Sequence, residues 1–150
     1  MKLAEALNLR ADLQKRIQQL RARLINNSKV QEGERTAEDP NDLMNELESC
    51  CGELCSLITR INLTNAAAEK NGSTITEMIA RRDALALKLG IYRDFLNNAS
   101  SVVNRMTHTE IKIRPSVEVD KLQKKIDDLS KEYRLLDTSI QEFNWTTELK

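Results

Sequence analysis

From Val119 to Phe143 apolar side chains return every three or four residues without a gap: Val119, Leu122, Ile126, Leu129, Tyr133, Leu136, Ile140 and Phe143. A helix places residues at that spacing on one narrow face, so the stretch is the seam of a helix that packs along another helix. Composition generalises the point. Charged residues make up 31% of the 150 residues and aromatic ones 3%, with four glycines and two prolines, so the chain has few helix breakers and few large β-formers. The expected class is all-α, arranged over residues 1–150 as one helical domain long enough for a sizeable core.

Three further seams follow from the same periodicity. Residues 2–27 carry Leu3, Leu7, Leu13, Ile17, Leu20 and Leu24. Residues 28–39 lose the period and contain Gly33, which makes them a connection. Asp39, Pro40 and Asp42 then supply a cap, a first-turn proline and a first-turn carboxylate for a second helix over 40–69, buried through Leu43, Leu47, Leu54, Leu57, Ile58 and Ile61. An Asn71-Gly72 pair breaks it, and Thr74 with Glu77 reads as a capping box for a third helix over 75–105. Its seam is Ile75, Met78, Leu85, Leu89, Tyr92, Leu96, Ala99 and Val103. Ile111 and Ile113 alternate with Lys112 and Arg114, so 107–114 reads as a half-exposed strand. Pro115 ends it, and Ser116 is positioned to cap the fourth helix, 116–143. The sum is four long helices forming two antiparallel hairpins, closed or splayed. The connection 28–39 and the strand 107–114 fall at one end, where a small β-ribbon would have to be supported by packing.

Against this regular background the stretch "LITRINLTNAAAE", 57–69, is unusually polar around Ile58 and Ile61. Pairing Asn27 with Asp42, Lys70 with Ile75, and Val103 with Val117 as level positions gathers one polar group of residues: Arg10, Arg60, Asn62, Asn65, Arg82, Asp83, Arg134 and Asp137. Arg82 occupies the seam position between Met78 and Leu85, and Arg10 the one between Leu3 and Ile17. A buried guanidinium must be paired, because stranding a charge costs several kcal/mol. Asp83, Asp137 and Asp12 are the carboxylates within reach. Such a layer serves to fix register or assembly, to form a subunit interface, or to hold a small anion or, less readily given the arginines, a metal.

Other features are weaker. Cys50, Cys51 and Cys55 lie in the second helix, where small buried hydrophobes are expected rather than a zinc site, since the lone His108 completes no ligand set. Trp145 is expected to cover the end of the helices. No phosphate loop, nucleophile elbow or paired-histidine motif is present, so neither a catalytic residue nor a cofactor is expected. Twenty-three basic and 23 acidic residues cancel, which argues against nucleic acid as a partner, and no apolar run reaches membrane-spanning length. The N-terminus lacks an apolar signal core, so a cytoplasmic location is expected and the N-x-T triplets at Asn62 and Asn144 are chance matches.

The segments "MKLAEALNLRADLQKRI", "RINLTN", "ARRDAL" and "LLDTSIQEFNWTTEL" together resemble an uncharacterised bacterial family of small helical proteins, some of whose members carry a septicolysin-like label. The resemblance covers nearly the whole chain. It marks Arg60, Ile61, Asn62, Asn65, Arg82, Asp83, Asp137, Gln141, Asn144 and Trp145 as its recognisable positions and implies no established activity. The expectation taken forward is a self-associating structural or scaffold protein, a homo-oligomer, with a binding module for a small anion as the alternative.

Overall fold

The computed structural model describes residues 1–101 and 113–150. Among them are helices α1 (Leu3–Asn26), α2 (Pro40–Ala67), α3 (Ile75–Ser100) and α4 (Val119–Thr146), with two short strands, β1 (Glu69–Lys70) and β2 (Ser73–Thr74), between α2 and α3. The all-α architecture with a small ribbon is therefore as the periodicity requires. The chain divides into two compact units, Met1–Ile75 with Glu142–Lys150, and Thr76–Gln141.

In the first unit α1 and α2 run antiparallel. Leu20, Leu43 and Cys50 form a buried cluster flanked by Ile17, Leu24 and Leu47. Leu3, Leu13, Leu57 and Ile61 are also buried, so both seams face inward as their spacing dictates. The start of α2 is built as expected: Pro40 is the first helical residue and the Asp39 carboxylate accepts the Asn41 N–H at 2.8 Å. At the other end of α2 the Asn-Gly pair does more than break a helix. Asn71 and Gly72 take φ of 55° and 79°, two successive left-handed residues, which is the geometry that turns two strands back on each other with the natural twist. Glu69 then pairs with Thr74 and Lys70 with Ser73.

Among the described residues the ribbon sits at 69–74. Residues 28–39 contain no strand, and Ile113 and Arg114 are irregular. Residues 107–112, with His108 and Ile111, lie outside the described residues, as do 102–105 of the expected third helix. That helix stops at Ser100, with Ser101 already irregular. Ser116 is not the cap of α4. The Leu122 N–H donates to the Glu118 carbonyl, so the cap falls two residues later than the serine suggested, and the helix runs on to Thr146.

The second unit is the α3–α4 hairpin. Leu85, Leu89 and Ile126 are its buried centre, surrounded by Tyr92, Leu96, Leu122, Leu129 and Tyr133. Arg82 reaches Asp137 while Tyr92, ten residues on, meets Lys125, whose ammonium stands 5.0 Å from the ring centroid. Partners descend in α4 as positions rise in α3, which is the antiparallel register expected from matching Val103 with Val117.

Candidate functional site

The eight residues of the expected polar layer fall into two groups, one in each unit. In the second unit Arg82 does find its carboxylates. Its Nε and Nη2 donate to Asp83 Oδ1 at 3.0 and 2.8 Å, and Nη1 donates to Asp137 Oδ1 at 3.4 Å. Its seam position explains why. Met78 and Leu85 on either side are buried, and the Arg82 side chain is three-quarters covered, so its N–H groups require acceptors. The hydrogen bonds to Asp83, followed by its charge and the weaker bond to Asp137, raise the arginine pKa against the opposing effect of burial. The ion pair is only partly buried: Asp137 remains 38% exposed and Asp83 62%. Arg134 is exposed and takes no part.

In the first unit the expected residues separate. Arg16 pairs with Glu46 at 2.8 Å and Arg23 pairs with Glu38, which sets α1 level with α2 in a register about seven residues away from the one assumed. The cause lies in the 28–39 connection. It folds back over the last turn of α1, where buried Asn27 accepts the Glu38 N–H at 3.1 Å and donates to the Arg23 carbonyl at 2.9 Å. Arg10 consequently comes level with about Gly52, not with Thr59 and Arg60, and is half-buried with no carboxylate partner among the described residues. Asp12 contacts Lys15 instead. Asn62 is exposed. Asn65 is half-buried, and its Oδ1 is buried without a hydrogen-bond partner among the described residues.

Arg60 is exposed but engaged. Its Nε donates to the Lys150 carbonyl at 2.8 Å. One turn further, fully buried Thr64 donates its hydroxyl to the Arg60 carbonyl at 2.8 Å and accepts the Lys150 N–H at 3.0 Å. These contacts are part of a clasp that sequence reasoning missed. Residues 2 and 148 form an antiparallel bridge, with the Leu3 N–H on the Thr147 carbonyl and the Leu149 N–H on the Met1 carbonyl, each at 2.9 Å. Lys2 Nζ stands 2.6 Å from Glu148. Leu3 and Leu149 are buried beside it. A signal was present in Thr64, which continues the Leu57–Ile61 stripe and must therefore bury a hydroxyl. Nothing in the sequence named its partner 86 residues away.

Beside the clasp an open cleft of about 240 Å³ is lined by Met1, Leu9, Leu13, Leu57, Glu53, Ser56 and Arg60. Its lining is mostly apolar, with one guanidinium, one carboxylate and one hydroxyl. Lys70 pairs with Glu142 at 2.8 Å elsewhere in this unit.

The remaining motifs resolve simply. Cys50 is buried, but Cys51 and Cys55 are exposed, against the expectation that all three pack inside. The seam of α2 passes through Leu47, Cys50 and Leu54, which turns Cys51 and Cys55 outward. Trp145 is 57% exposed and does not cover a core, whereas Phe143 is buried. Asn144, beside it, is buried. Among the described residues no group of three or more His, Cys, Asp or Glu is arranged to hold a metal ion, and no helix is long and apolar enough to cross a membrane.

Residues 10–149 match the model of a family described as a family of unknown function, DUF6847. The chain belongs to that family. It is also similar over its full length to a solved structure, described as a functionally unknown conserved protein from Corynebacterium diphtheriae. The two are 39% identical, the match covers 99% of that chain, and the TM-score is 0.89. No curated protein matches the chain. DUF6847 membership thus agrees with the resemblance to an uncharacterised helical family.

Proposed function

We propose that this DUF6847 protein is a cytosolic, self-associating structural or scaffold module, in which helix faces mediate assembly and the Arg82–Asp83–Asp137 cluster fixes register within the α3–α4 hairpin. The observation that carries the reading is that α3 is apolar on two sides. One side packs on α4 through Leu85 and Leu89, while Leu87, Ile91 and Phe95 on the other remain 69%, 58% and 42% exposed. A helix with an apolar stripe on each of two sides belongs between partners. Reducing surroundings suit the exposed free thiols of Cys51 and Cys55. Light scattering with mass determination at tens of micromolar tests the reading. A mass above that of one chain supports it, and a clean monomer overturns it.

The cleft beside Arg60 supports a second reading, a binding site for a small carboxylate or phosphate with an apolar portion. Arg60 commits Nε to Lys150, while apolar Leu9, Leu13 and Leu57 line the cleft. Titration with fatty and aryl carboxylates and with alkyl and aryl phosphates should raise the melting temperature of the native chain and leave Arg60→Gln unchanged. No shift with any of them removes this reading.

A further inference from the structure

We propose that the outer face of α3 is a parallel, twofold homodimer seam, in which Leu87 and Ile91 of one copy meet the same residues of a second copy. The inference rests on the self-association reading above and assigns its surface and direction.

The seam is defined by periodicity. Ala80, Ala84, Leu87 and Ile91 follow steps of four, three and four along α3 and all are exposed. Written as a heptad, Ala84 and Ile91 take the a positions and Ala80 and Leu87 the d positions. A β-branched residue at a with leucine at d is the combination that favours two parallel strands. The alanines let the helices approach closely over the first turns. Asp94 ends the seam, and Phe95 lies along its edge.

Charge decides the direction. Arg81 and Lys88, at e positions, flank the stripe on one side, and Asp83, at g, on the other, all of them exposed. When two copies meet face to face in parallel, the left flank of one lies against the right flank of the other, so basic meets acidic. In an antiparallel pair each flank meets its own kind. The parallel register also brings Asp83 at g beside the partner's Lys88 at e, five residues further on, where interhelical ion pairs form in two-stranded coiled coils. Arg81 is already paired with Glu132, and Asp83 gives its Oδ1 to Arg82, so the pair across the seam uses Asp83 Oδ2 and Lys88, which makes no ion pair among the described residues.

The size of the seam sets its strength. Leu87, Ile91 and Phe95 at their observed exposures present on the order of 300 Å² of apolar surface per copy, against about 800 Å² of total surface per partner in a stable interface. With its charged flanks the seam suits a reversible dimer in the micromolar range.

The test combines mass with cross-linking. The native chain is measured by sedimentation from about 1 to 500 µM, beside Leu87→Lys/Ile91→Lys. In a background of Cys50→Ala, Cys51→Ser and Cys55→Ser, Ala80→Cys is oxidised. The expected results are a concentration-dependent dimer, a dissociation constant raised at least about 100-fold in the double lysine variant, and disulfide-linked dimers through position 80. A dimer that survives the lysines overturns the assigned face while leaving self-association standing. A dimer broken by the lysines in which position 80 does not cross-link overturns the parallel direction, because an antiparallel pair separates those residues by more than 20 Å. A native chain that is monomeric throughout overturns both. Loss of helix in the lysine variant under conditions where the native chain is monomeric means the face is covered within one chain, and that also overturns the proposal; the cross-link, made on an otherwise native face, reads out independently of it.

Discussion

Replacing Asp137 by alanine tests how much the Arg82 cluster contributes. Were the pair fully buried, removing one partner would strand a guanidinium and cost about 3–5 kcal/mol. The geometry lowers that figure. The contact is long at 3.4 Å, Asp137 is 38% exposed and Arg82 25%, and Arg82 keeps Asp83 at 2.8 Å after the substitution. The expected loss is about 0.5–1 kcal/mol, the range of partly screened pairs. Arg82→Leu should be near neutral or stabilising, because a leucine there continues the seam between buried Met78 and Leu85, and the two carboxylates it leaves without a partner, Asp83 and Asp137, are 62% and 38% exposed and stay solvated. The double variant should lose no more than Arg82→Leu alone. Urea unfolding suits the measurement, followed by circular dichroism and by tyrosine absorbance, since both tyrosines, Tyr92 and Tyr133, lie in this hairpin. A loss above about 3 kcal/mol for Asp137→Ala, or for Arg82→Leu, would refute the reasoning, since either requires an ion pair buried far more deeply than it is.

Four other outcomes are expected. Iodoacetamide should modify Cys51 and Cys55 quickly and Cys50 only on unfolding, which mass spectrometry of the labelled chain will show; three equal rates would contradict the burial of Cys50. Hydrogen bonds from Arg23 and Lys2 hold the Glu38 and Glu148 carboxyls below their usual range, so their stabilisation is complete above the unfolded carboxylate pKa and is lost as pH falls through the depressed folded values. Acid unfolding should accordingly be shallower in Glu38→Gln, and an unchanged profile would argue against the pairing. Gly72→Val should cost about 1–2 kcal/mol because its φ of 79° is strained for a side chain, with Gly72→Asn milder. Thr64→Val should cost about 1–3 kcal/mol by leaving the Lys150 N–H without its acceptor, as read by thermal melting with Trp145 fluorescence; no change would mean that the clasp contributes little.

The elements were legible wherever a local rule governs them. Asp39 and Pro40 fix the start of α2, and the apolar stripes of all four helices face inward as their spacing requires. The Arg82–Asp137 pairing was also legible, because both the seam position and the α3–α4 register follow from counting. What counting did not give was the α1–α2 register. That depends on how a 12-residue connection folds, and Asn27 and Glu38 bend it back over α1 through contacts that leave no periodic trace. Arg10 was misplaced for that reason. The same distinction separates Cys50, which lies on the counted seam, from Cys51 and Cys55. Two-residue strands carry no alternation, so the ribbon at 69–74 announced itself only through its turn.

The clasp between residues 2 and 148 makes the first unit discontinuous in the chain, with the uninterrupted stretch 76–141 inserted within it. During synthesis Thr64 and Leu3 emerge long before Lys150 and Leu149, so the unit cannot close until its final segment leaves the ribosome, whereas the α3–α4 hairpin needs only local encounters. The unit whose first part is synthesised earliest should therefore be the last to be completed, when the clasp closes. Chains that stop ahead of residue 142 would leave Leu3 and Thr64 without the segment that covers them.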